Sequence, residues 1–288
     1  MIAVAFPGQG AQKVGMVSSL SPQAQVCFDT ASELLGYDLY TLCNLGPADT
    51  LTQTEFAQPA LLVTCYSRWL DVVNSTPVQV FAGHSLGLIT AMVAAKCISF
   101  SDGVRIVQKR GQLMANCGPN GSMVATLGLE TSLVEQLCER AREHGWIQIA
   151  NYNAPGQIVV SGEQSSLDYF GLLAKDAGAK RVIPLDVSGP FHSRLMEPAA
   201  LAFKTFLGEI EFLDPAVPIV SNYESKLLTK KADIPKELVA QLTHSVQWIA
   251  NVVFLESLGI TELVEVSPNS ILVGLTKRIT KNLKLTLA

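Results

Sequence analysis

VQVFAGHSLG, at residues 78–87, is the stretch around which the rest of the chain is organised. A β-prone apolar run leads into Gly83-His84-Ser85-Leu86-Gly87, and an apolar helical pattern, LITAMVAAKC, follows at once. The pattern predicts a strand, a sharp turn and a helix, with glycines where the backbone passes close to its neighbours. Such an elbow holds a serine hydroxyl in the open at a helix N-terminus, where partial positive charge favours an oxyanion. We therefore interpret Ser85 as a nucleophile.

The composition narrows the class of protein. Of the 288 residues, 48% are hydrophobic and 16% are charged, which suits a large domain with a smaller insert. The net charge of −4, without a Lys/Arg-rich run, argues against a nucleic acid partner. No apolar window has the length of a membrane helix, and no signal peptide is recognisable, so we expect no membrane association. The six cysteines form no C-x-x-C pair or zinc-like cluster, which predicts free thiols, no metal site and a cytoplasmic protein.

The order of predicted elements favours an α/β fold with a mainly parallel sheet. A buried strand at 2–6 precedes a Gly-rich loop, in which Gln9 is either an oxyanion or ligand donor or a local backbone cap. Further along, the order becomes β-α-β-β-α-β, which is that of a ferredoxin-like unit. We predict a large subdomain at 1–121 and 189–288, with a small ferredoxin-like subdomain at 122–188 inserted in it. The cleft between two such units is a preferred ligand site.

A serine nucleophile needs a base, and His192 is the best candidate among the four histidines. His144 lies in a charged helix end, His84 abuts the serine and is expected to point away from it, and His244 adjoins a helix end. His192 lies in a Gly-Pro-Phe-His-Ser loop C-terminal to the elbow, as the base does in α/β hydrolases. The alternative is a hydrogen-bonded loop histidine. No Asp or Glu stands out as its orienting partner, and a backbone carbonyl can fix the imidazole tautomer instead.

A helix predicted over 103–117 carries Arg105, Lys109 and Arg110. Exposure to solvent is the default for such charged side chains. Arg110, however, adjoins Gly111 in the helix interior, where close packing is expected. A buried guanidinium at that point would require a bidentate carboxylate, and a substrate could supply it.

Seven motifs together resemble a known family. In chain order they are PGQGAQ, GHSLG, KRGQLM, NYNAPGQIVVSG, PFHSRLM, SNYESK and VQW, and the match runs from Phe6 to about Arg278. The chain resembles the malonyl-CoA:acyl carrier protein transacylases, including the free-standing acyltransferases that serve polyketide synthases. The resemblance implies an α/β-hydrolase-like large subdomain with the ferredoxin-like insert. It also implies transfer of a malonyl group from malonyl-CoA to the phosphopantetheine thiol of an acyl carrier protein, for fatty acid or polyketide synthesis, by a ping-pong acyl-serine mechanism.

The resemblance further implies roles for individual residues. Ser85 and His192 match the nucleophile and its base, Arg110 the clamp for the malonyl carboxylate, and Gln241 the residue whose backbone carbonyl orients the histidine. The other matches are the backbone amides of the oxyanion hole, Gln9 and Leu86, two residues near the acyl-CoA cleft, Asn153 and Gln157, and a bulky residue that accompanies unbranched malonyl, Phe191. No cofactor is implied beyond the acyl-CoA substrate, and we expect a monomer.

One departure from the family pattern follows the elbow. Leu88-Ile89 stand where the family usually has an acidic residue and an aromatic one. The residues matched to the chemistry are retained, so we expect transfer to survive, but the acyl preference is left open. The alternatives are a transferase for a substituted malonyl or other extender unit, a hydrolase that clears acyl groups from carrier proteins, and a non-catalytic docking protein.

Overall fold

The computed structural model describes residues 1–17, 20–117 and 121–288. The strands are β1 (Ile2–Phe6), β2 (Val78–Gly83), β3 (Gly121–Leu127), β4 (Ile147–Ala154), β5 (Gln157–Glu163), β6 (Arg181–Pro184), β7 (Ile219–Val220), β8 (Leu227–Leu228), β9 (Glu262–Glu265) and β10 (Lys284–Leu287). The helices are α1 (Pro22–Leu35), α2 (Leu39–Leu45), α3 (Ala48–Thr52), α4 (Thr54–Val72), α5 (Leu86–Ala94), α6 (Phe100–Ala115), α7 (Thr131–Ala141), α8 (Gln164–Asp176), α9 (Glu197–Leu207), α10 (Ile234–Thr243), α11 (Trp248–Ser257) and α12 (Ile271–Ile279). None of the helices in these ranges is long and apolar enough to cross a bilayer.

The larger sheet has the strand order β10-β9-β1-β2-β7-β8 in the described part of the chain. Its strands pair in parallel, except that β8 runs antiparallel to β7. Phe6 at the end of β1 pairs with Gly83 at the end of β2, and the N–H of His84 donates to the carbonyl of Phe6 at 2.9 Å. The Gly-rich loop after β1 and the elbow after β2 therefore lie side by side at one edge of the sheet.

Helices cover both faces of this sheet, which explains why the central strand β1 is apolar throughout rather than alternating. Val4 and Phe6 of β1 point into the main core, which is formed largely with α1, α4, α5, α6, α9 and α10. Ala3 and Ala5 face a second core with α11 and α12. The predicted α/β class with a mainly parallel sheet is confirmed.

The smaller sheet has the order β4-β5-β3-β6 and is antiparallel in every pairing. Helices α7 and α8 pack with it around a separate apolar core. This is the ferredoxin-like arrangement expected from the β-α-β-β-α-β order. β3 begins at Gly121, one residue before the boundary drawn from the sequence, and the boundaries of the two subdomains stay predictions.

Strand β4 also joins the two units. Asn151 forms a parallel bridge with Val246, a residue between α10 and α11. The N–H of Tyr152 donates to the carbonyl of Val246 at 2.9 Å, and the N–H of Val246 donates to the carbonyl of Ala150 at 2.8 Å. The outer strand of the small sheet is therefore held along the large subdomain beside the elbow.

Helix α6 starts earlier than the sequence predicted. Ser99 is its N-cap, and its Oγ accepts from the N–H of Asp102 at 3.0 Å, so the helix begins at Phe100 rather than at residue 103. A Cβ at Gly111 would lie 2.9 Å from the Cα of Glu55 on α4. The close packing expected beside Arg110 is present, and it directs the arginine into the interior.

Candidate active site

The elbow places Ser85 in a strained conformation between β2 and α5. Its φ of 51° and ψ of −111° lie outside the regions that a side chain normally adopts. A Cβ at Gly87 would overlap the carbonyl oxygen of Phe6, and a Cβ at Gly83 would overlap the backbone of Gly87. Only glycine at these two positions lets the turn close, which is the reason for the G-x-S-x-G pattern.

Ser85 and His192 lie in direct contact although 107 positions separate them. The Oγ of Ser85 is 2.7 Å from Nε2 of His192, and Nδ1 of His192 is 2.7 Å from the carbonyl oxygen of Gln241. Because a carbonyl can only accept, Nδ1 carries the proton and Nε2 is free to accept one from the serine. Burial, together with the charge of Arg110, lowers the pKa of His192 to about 3, against the opposing effect of the Gln241 carbonyl. The imidazole is neutral at physiological pH, as a base must be.

Arg110 is a buried cation beside the nucleophile. Arg110 is only 1% exposed, and its Nη2 donates to Oγ of Ser85 at 3.2 Å. Nη1 donates to Oε1 of Gln58 at 2.9 Å, and Nη2 also donates to Oε1 of Gln241 at 2.9 Å. Within the described ranges Nε has no partner and no carboxylate lies within ion-pair distance. Burial lowers the pKa of Arg110 to about 9.

The Arg110 contact also orients the serine proton. One lone pair of the Ser85 Oγ accepts from the guanidinium, so the hydroxyl hydrogen is directed to the available acceptor, Nε2 of His192. The hydrogen bonds thus arrange nucleophile and base for proton transfer before any ligand is bound.

Two backbone amides near Ser85 are left without a partner in the described part of the chain. The N–H groups of Gln9 and Leu86 form no hydrogen bond with any group of the described residues, and both residues line the cavity. The side chain of Gln9 is occupied elsewhere, because its Nε2 donates to Oγ1 of Thr54 at 3.2 Å. The arrangement suits two backbone donors to one oxyanion.

A cavity of about 280 Å³ opens in front of these groups, between the two sheets. Phe191, which is 5% exposed, forms part of its wall. Its lining also includes Met114 and residues from the small subdomain, among them Met123 and Asn151. The cleft predicted between the two units is therefore present, and it contains the serine, histidine and arginine picked out from the sequence.

Comparison with known proteins identifies the family. The acyl transferase domain matches residues 4–284. The chain belongs to the acyl transferase family. Its relatives include the malonyl CoA-acyl carrier protein transacylases of Salmonella typhimurium, 41% identical with 98% of this chain and 93% of the relative covered, and of Bacillus subtilis, 42% identical with 98% and 92% covered.

Solved structures agree. An acyl carrier protein S-malonyltransferase from Vibrio cholerae has a TM-score of 0.96 and 38% identity, covering 100% of this chain and 96% of the other. A malonyl-transacylase in complex with a type II polyketide synthase acyl carrier protein has a TM-score of 0.96 and 37% identity, covering 100% and 95%. The family and the two-subdomain fold expected from the motifs are confirmed.

Two predicted cleft residues of this acyl transferase lie outside the cavity lining. Oδ1 of Asn153 is 2.8 Å from Nε2 of His84, a residue that does line the cavity. Burial lowers the pKa of His84, whose ring lies 6.0 Å from that of Trp248, and His84 is itself one of the residues that line the cavity. Oε1 of Gln157 accepts from Nη1 of Arg278 at 2.8 Å, near the β4–β5 turn. The structure does not bring Gln157 together with Ser85.

Asn222 was missed by the sequence reasoning, although SNYESK contains it. Its Oδ1 accepts from the N–H of Ser85 at 2.7 Å and from Nε2 of Gln241 at 3.0 Å. Its Nδ2 donates to the carbonyl of Gly83 at 2.6 Å. Asn222 thus ties both sides of the elbow to the glutamine that orients the histidine.

Glu237 lies behind Asn222 and is only 1% exposed. Its Oε1 accepts from the N–H of Asn222 at 2.8 Å, and Oε2 accepts from Oγ of Ser221 at 2.7 Å. Burial raises the pKa of Glu237 to about 7, and these two hydrogen bonds only partly offset the effect. No motif pointed to this buried carboxyl, because its partners lie 15 and 16 positions away.

Leu88 and Ile89, where this chain departs from the family pattern, are both fully buried in the main core. Neither lines the cavity. They follow the elbow on α5 and pack behind it, so the change alters the support of the helix and not the wall that meets a ligand.

Proposed function

We propose that this acyl transferase moves a malonyl group from malonyl-CoA to the phosphopantetheine thiol of an acyl carrier protein, through an ester on Ser85. The observation that carries the proposal is Arg110, a buried guanidinium 3.2 Å from the nucleophile and partnered by neutral groups. A buried cation without an anion is unfavourable, and the free carboxylate of malonyl would compensate it. The names of the relatives agree with this substrate.

The first half-reaction forms the acyl-enzyme. Oγ of Ser85 attacks the thioester carbonyl while Nε2 of His192 takes its proton, and the N–H groups of Gln9 and Leu86 stabilise the oxyanion. The tetrahedral intermediate collapses with cleavage of the C–S bond. The imidazolium returns the proton to the departing sulfur, which leaves as the CoA thiol.

The second half-reaction transfers the malonyl group from Ser85 to the carrier protein. His192 takes the proton of the carrier's thiol, and the sulfur attacks the acyl-serine ester at the same oxyanion site. The C–O bond breaks, Oγ of Ser85 recovers the proton from the imidazolium, and the malonyl thioester of the carrier leaves. The same residues serve both half-reactions. Acyl-CoA is a substrate rather than a resident cofactor.

The malonyl carboxylate also acts on the base. The charge of Arg110 is one cause of the lowered pKa of His192. A carboxylate bound to Arg110 offsets that charge, so the pKa of His192 rises toward the operating pH when the correct acyl group is present. An acetyl group offers no such compensation.

The hydrolase alternative rested on Leu88-Ile89. Because both side chains are buried behind the elbow and do not contact the cavity, they give no reason for water to replace the carrier thiol. Malonyl transfer remains the proposal that accounts for Arg110. We further propose that the protein acts as a monomer in the cytoplasm, and sedimentation and cell fractionation would test these two points.

The test exposes the protein to labelled malonyl-CoA and acetyl-CoA and measures the mass added to Ser85. Wild-type protein should gain malonyl and, with a carrier protein, transfer it. Arg110→Ala should lose the preference for malonyl over acetyl by about 2–5 kcal/mol, the cost of removing one partner of a buried charged pair. Arg105→Ala is the matched control, because Arg105 is a partly exposed arginine of the same helix, paired with Asp102. An unchanged preference in Arg110→Ala refutes the clamp, and free malonate as the main product favours the hydrolase.

A further inference from the structure

Gln148, on strand β4 of the small subdomain, contacts the loop that carries His192. Its Nε2 donates to the backbone carbonyl of His192 at 3.0 Å and to that of Thr243 at 3.3 Å. Its Oε1 accepts from the N–H of Arg194 at 3.1 Å and from Nε1 of Trp146 at 3.1 Å. Two carbonyls on one side and two N–H donors on the other allow only one orientation of the amide.

These contacts fix the two backbone segments that position the base: the loop around His192 and the end of α10 after Gln241. His192 has a φ of 56°, a left-handed conformation that a non-glycine residue keeps only when its surroundings impose it. Gln148 bonds the carbonyl of His192 and the N–H of Arg194, two residues further on. It also bonds Thr243, two residues after Gln241, whose carbonyl orients the imidazole. One amide thus links the backbone of the base to the end of α10.

Gln148 is itself well anchored. β4 is fixed along residues 245–246, where Oγ of Ser245 donates to the carbonyl of Ile149 at 2.5 Å. Trp146, which bonds Oε1 of Gln148, is contacted by two guanidinium groups: that of Arg194 lies 3.5 Å from its ring centroid and that of Arg142 4.9 Å. Such contacts hold the Trp146 ring, and with it the start of β4, in one position.

We propose that Gln148 is a positioning residue, through which the small subdomain sets the position of His192 relative to Ser85. The proposal rests on the Ser85–His192 pair of the proposed function. It gives the inserted unit a part in proton transfer as well as in forming the cleft. A displacement of the imidazole by about 1 Å would lower the rate by about 100-fold without a direct effect on binding.

The test uses a fluorophosphonate probe, which requires the serine and its base but neither malonyl nor a carrier protein. Oγ of Ser85 forms a bond to phosphorus, His192 takes the serine proton and fluoride leaves. In Gln148→Leu the rate constant at saturating probe should fall about 10- to 100-fold, with the half-saturating concentration unchanged. With malonyl-CoA as the substrate, kcat should fall by the same factor as the probe rate constant, and KM should stay the same. Gln164→Leu is the control, because Gln164 is an exposed glutamine on the same subdomain, and among the described residues its side chain bonds only Asp168.

Folded Gln148→Leu that reacts within about twofold of the wild-type rate refutes the proposal. Should that variant not fold, Gln148→Glu keeps the length of the side chain and an acceptor for the two N–H donors, but it sets a carboxylate oxygen against the two carbonyls. It should therefore show at least the same loss, and a wild-type rate would again refute the proposal. If the wild-type protein reacts with the probe but transfers no malonyl, only the proposed function fails. If it does not react with the probe, both fail.

Discussion

Replacing Glu237 by Gln should remove most of one pH-dependent contribution to stability. The carboxyl is 1% exposed and touches Ser221 and Asn222, and burial raises its pKa to about 7 from an ordinary value of 4.5. A glutamine has nearly the same shape as the protonated acid. It keeps the acceptor for the N–H of Asn222 and offers its own amide to Ser221, but it cannot release a proton.

The magnitude follows from proton linkage. A carboxyl with a raised pKa binds its proton more tightly in the folded state, so its stabilising contribution is complete below pH 4.5 and declines as the pH rises to about 7. A tenfold change in proton affinity is worth about 1.4 kcal/mol, so a pKa of about 7 in place of 4.5 corresponds to about 3 kcal/mol. His84 and His192 have lowered pKa values and act in the opposite sense, but both proteins share them and they cancel in the difference.

The assay is urea unfolding of both proteins from about pH 4 to about pH 8. The free energy of unfolding of the wild-type protein, relative to Glu237→Gln, should fall by about 3 kcal/mol over this range, with equal m values. Glu211→Gln is the control for the loss of one carboxylate, because Glu211 is exposed. Parallel stability curves for wild type and Glu237→Gln would refute the argument that this carboxyl is protonated in the folded protein near neutral pH.

Three further outcomes are expected. Asn222→Ala leaves the buried N–H of Ser85 without its acceptor, so unfolding should become easier by about 1–3 kcal/mol in urea titration, and acylation of Ser85 should slow; a fully active and stable variant would contradict this role. Gly87→Ala sets a Cβ against the carbonyl of Phe6, and we expect a loss of more than about 3 kcal/mol or insoluble protein, whereas a wild-type Tm would show that the elbow can open. All six cysteines are free, five are buried and Cys117 is partly exposed. A thiol reagent should therefore modify one cysteine in the native protein and six in urea. Rapid modification of several cysteines in the native protein would argue against their burial.

The fold was largely accessible from local patterns. The strand, glycines and helix of the elbow lie within one continuous stretch, and steric exclusion at Gly83 and Gly87 leaves few other structures for it. The order of elements in the small subdomain likewise predicted its sheet. The start of α6 was misplaced by three residues, because the cap is Ser99 and its hydrogen bond with the N–H of Asp102 is seen only in the folded chain.

The chemical types at the site were also visible. The serine at the elbow, the histidine in a later loop and the arginine beside a helix glycine are residue types whose side chains can act as nucleophile, base and cation, so the sequence alone made them candidates. Their positions are consistent with the predicted roles, and those roles remain to be tested. Gln157 was assigned to the cleft by resemblance alone; it bonds Arg278 and lies outside the lining of the cavity at Ser85.

Sequence alone therefore determined the elbow, the order of elements and the candidates for nucleophile, base and cation. Only the tertiary structure decided what holds them: the amides of Gln58 and Gln148, the side chain of Asn222 and the carboxyl of Glu237. The physical reason is the distance along the chain. Ser85 meets Asn222 across 137 positions and Arg110 meets Gln241 across 131, and neutral amides reveal nothing of such partners until folding brings them together.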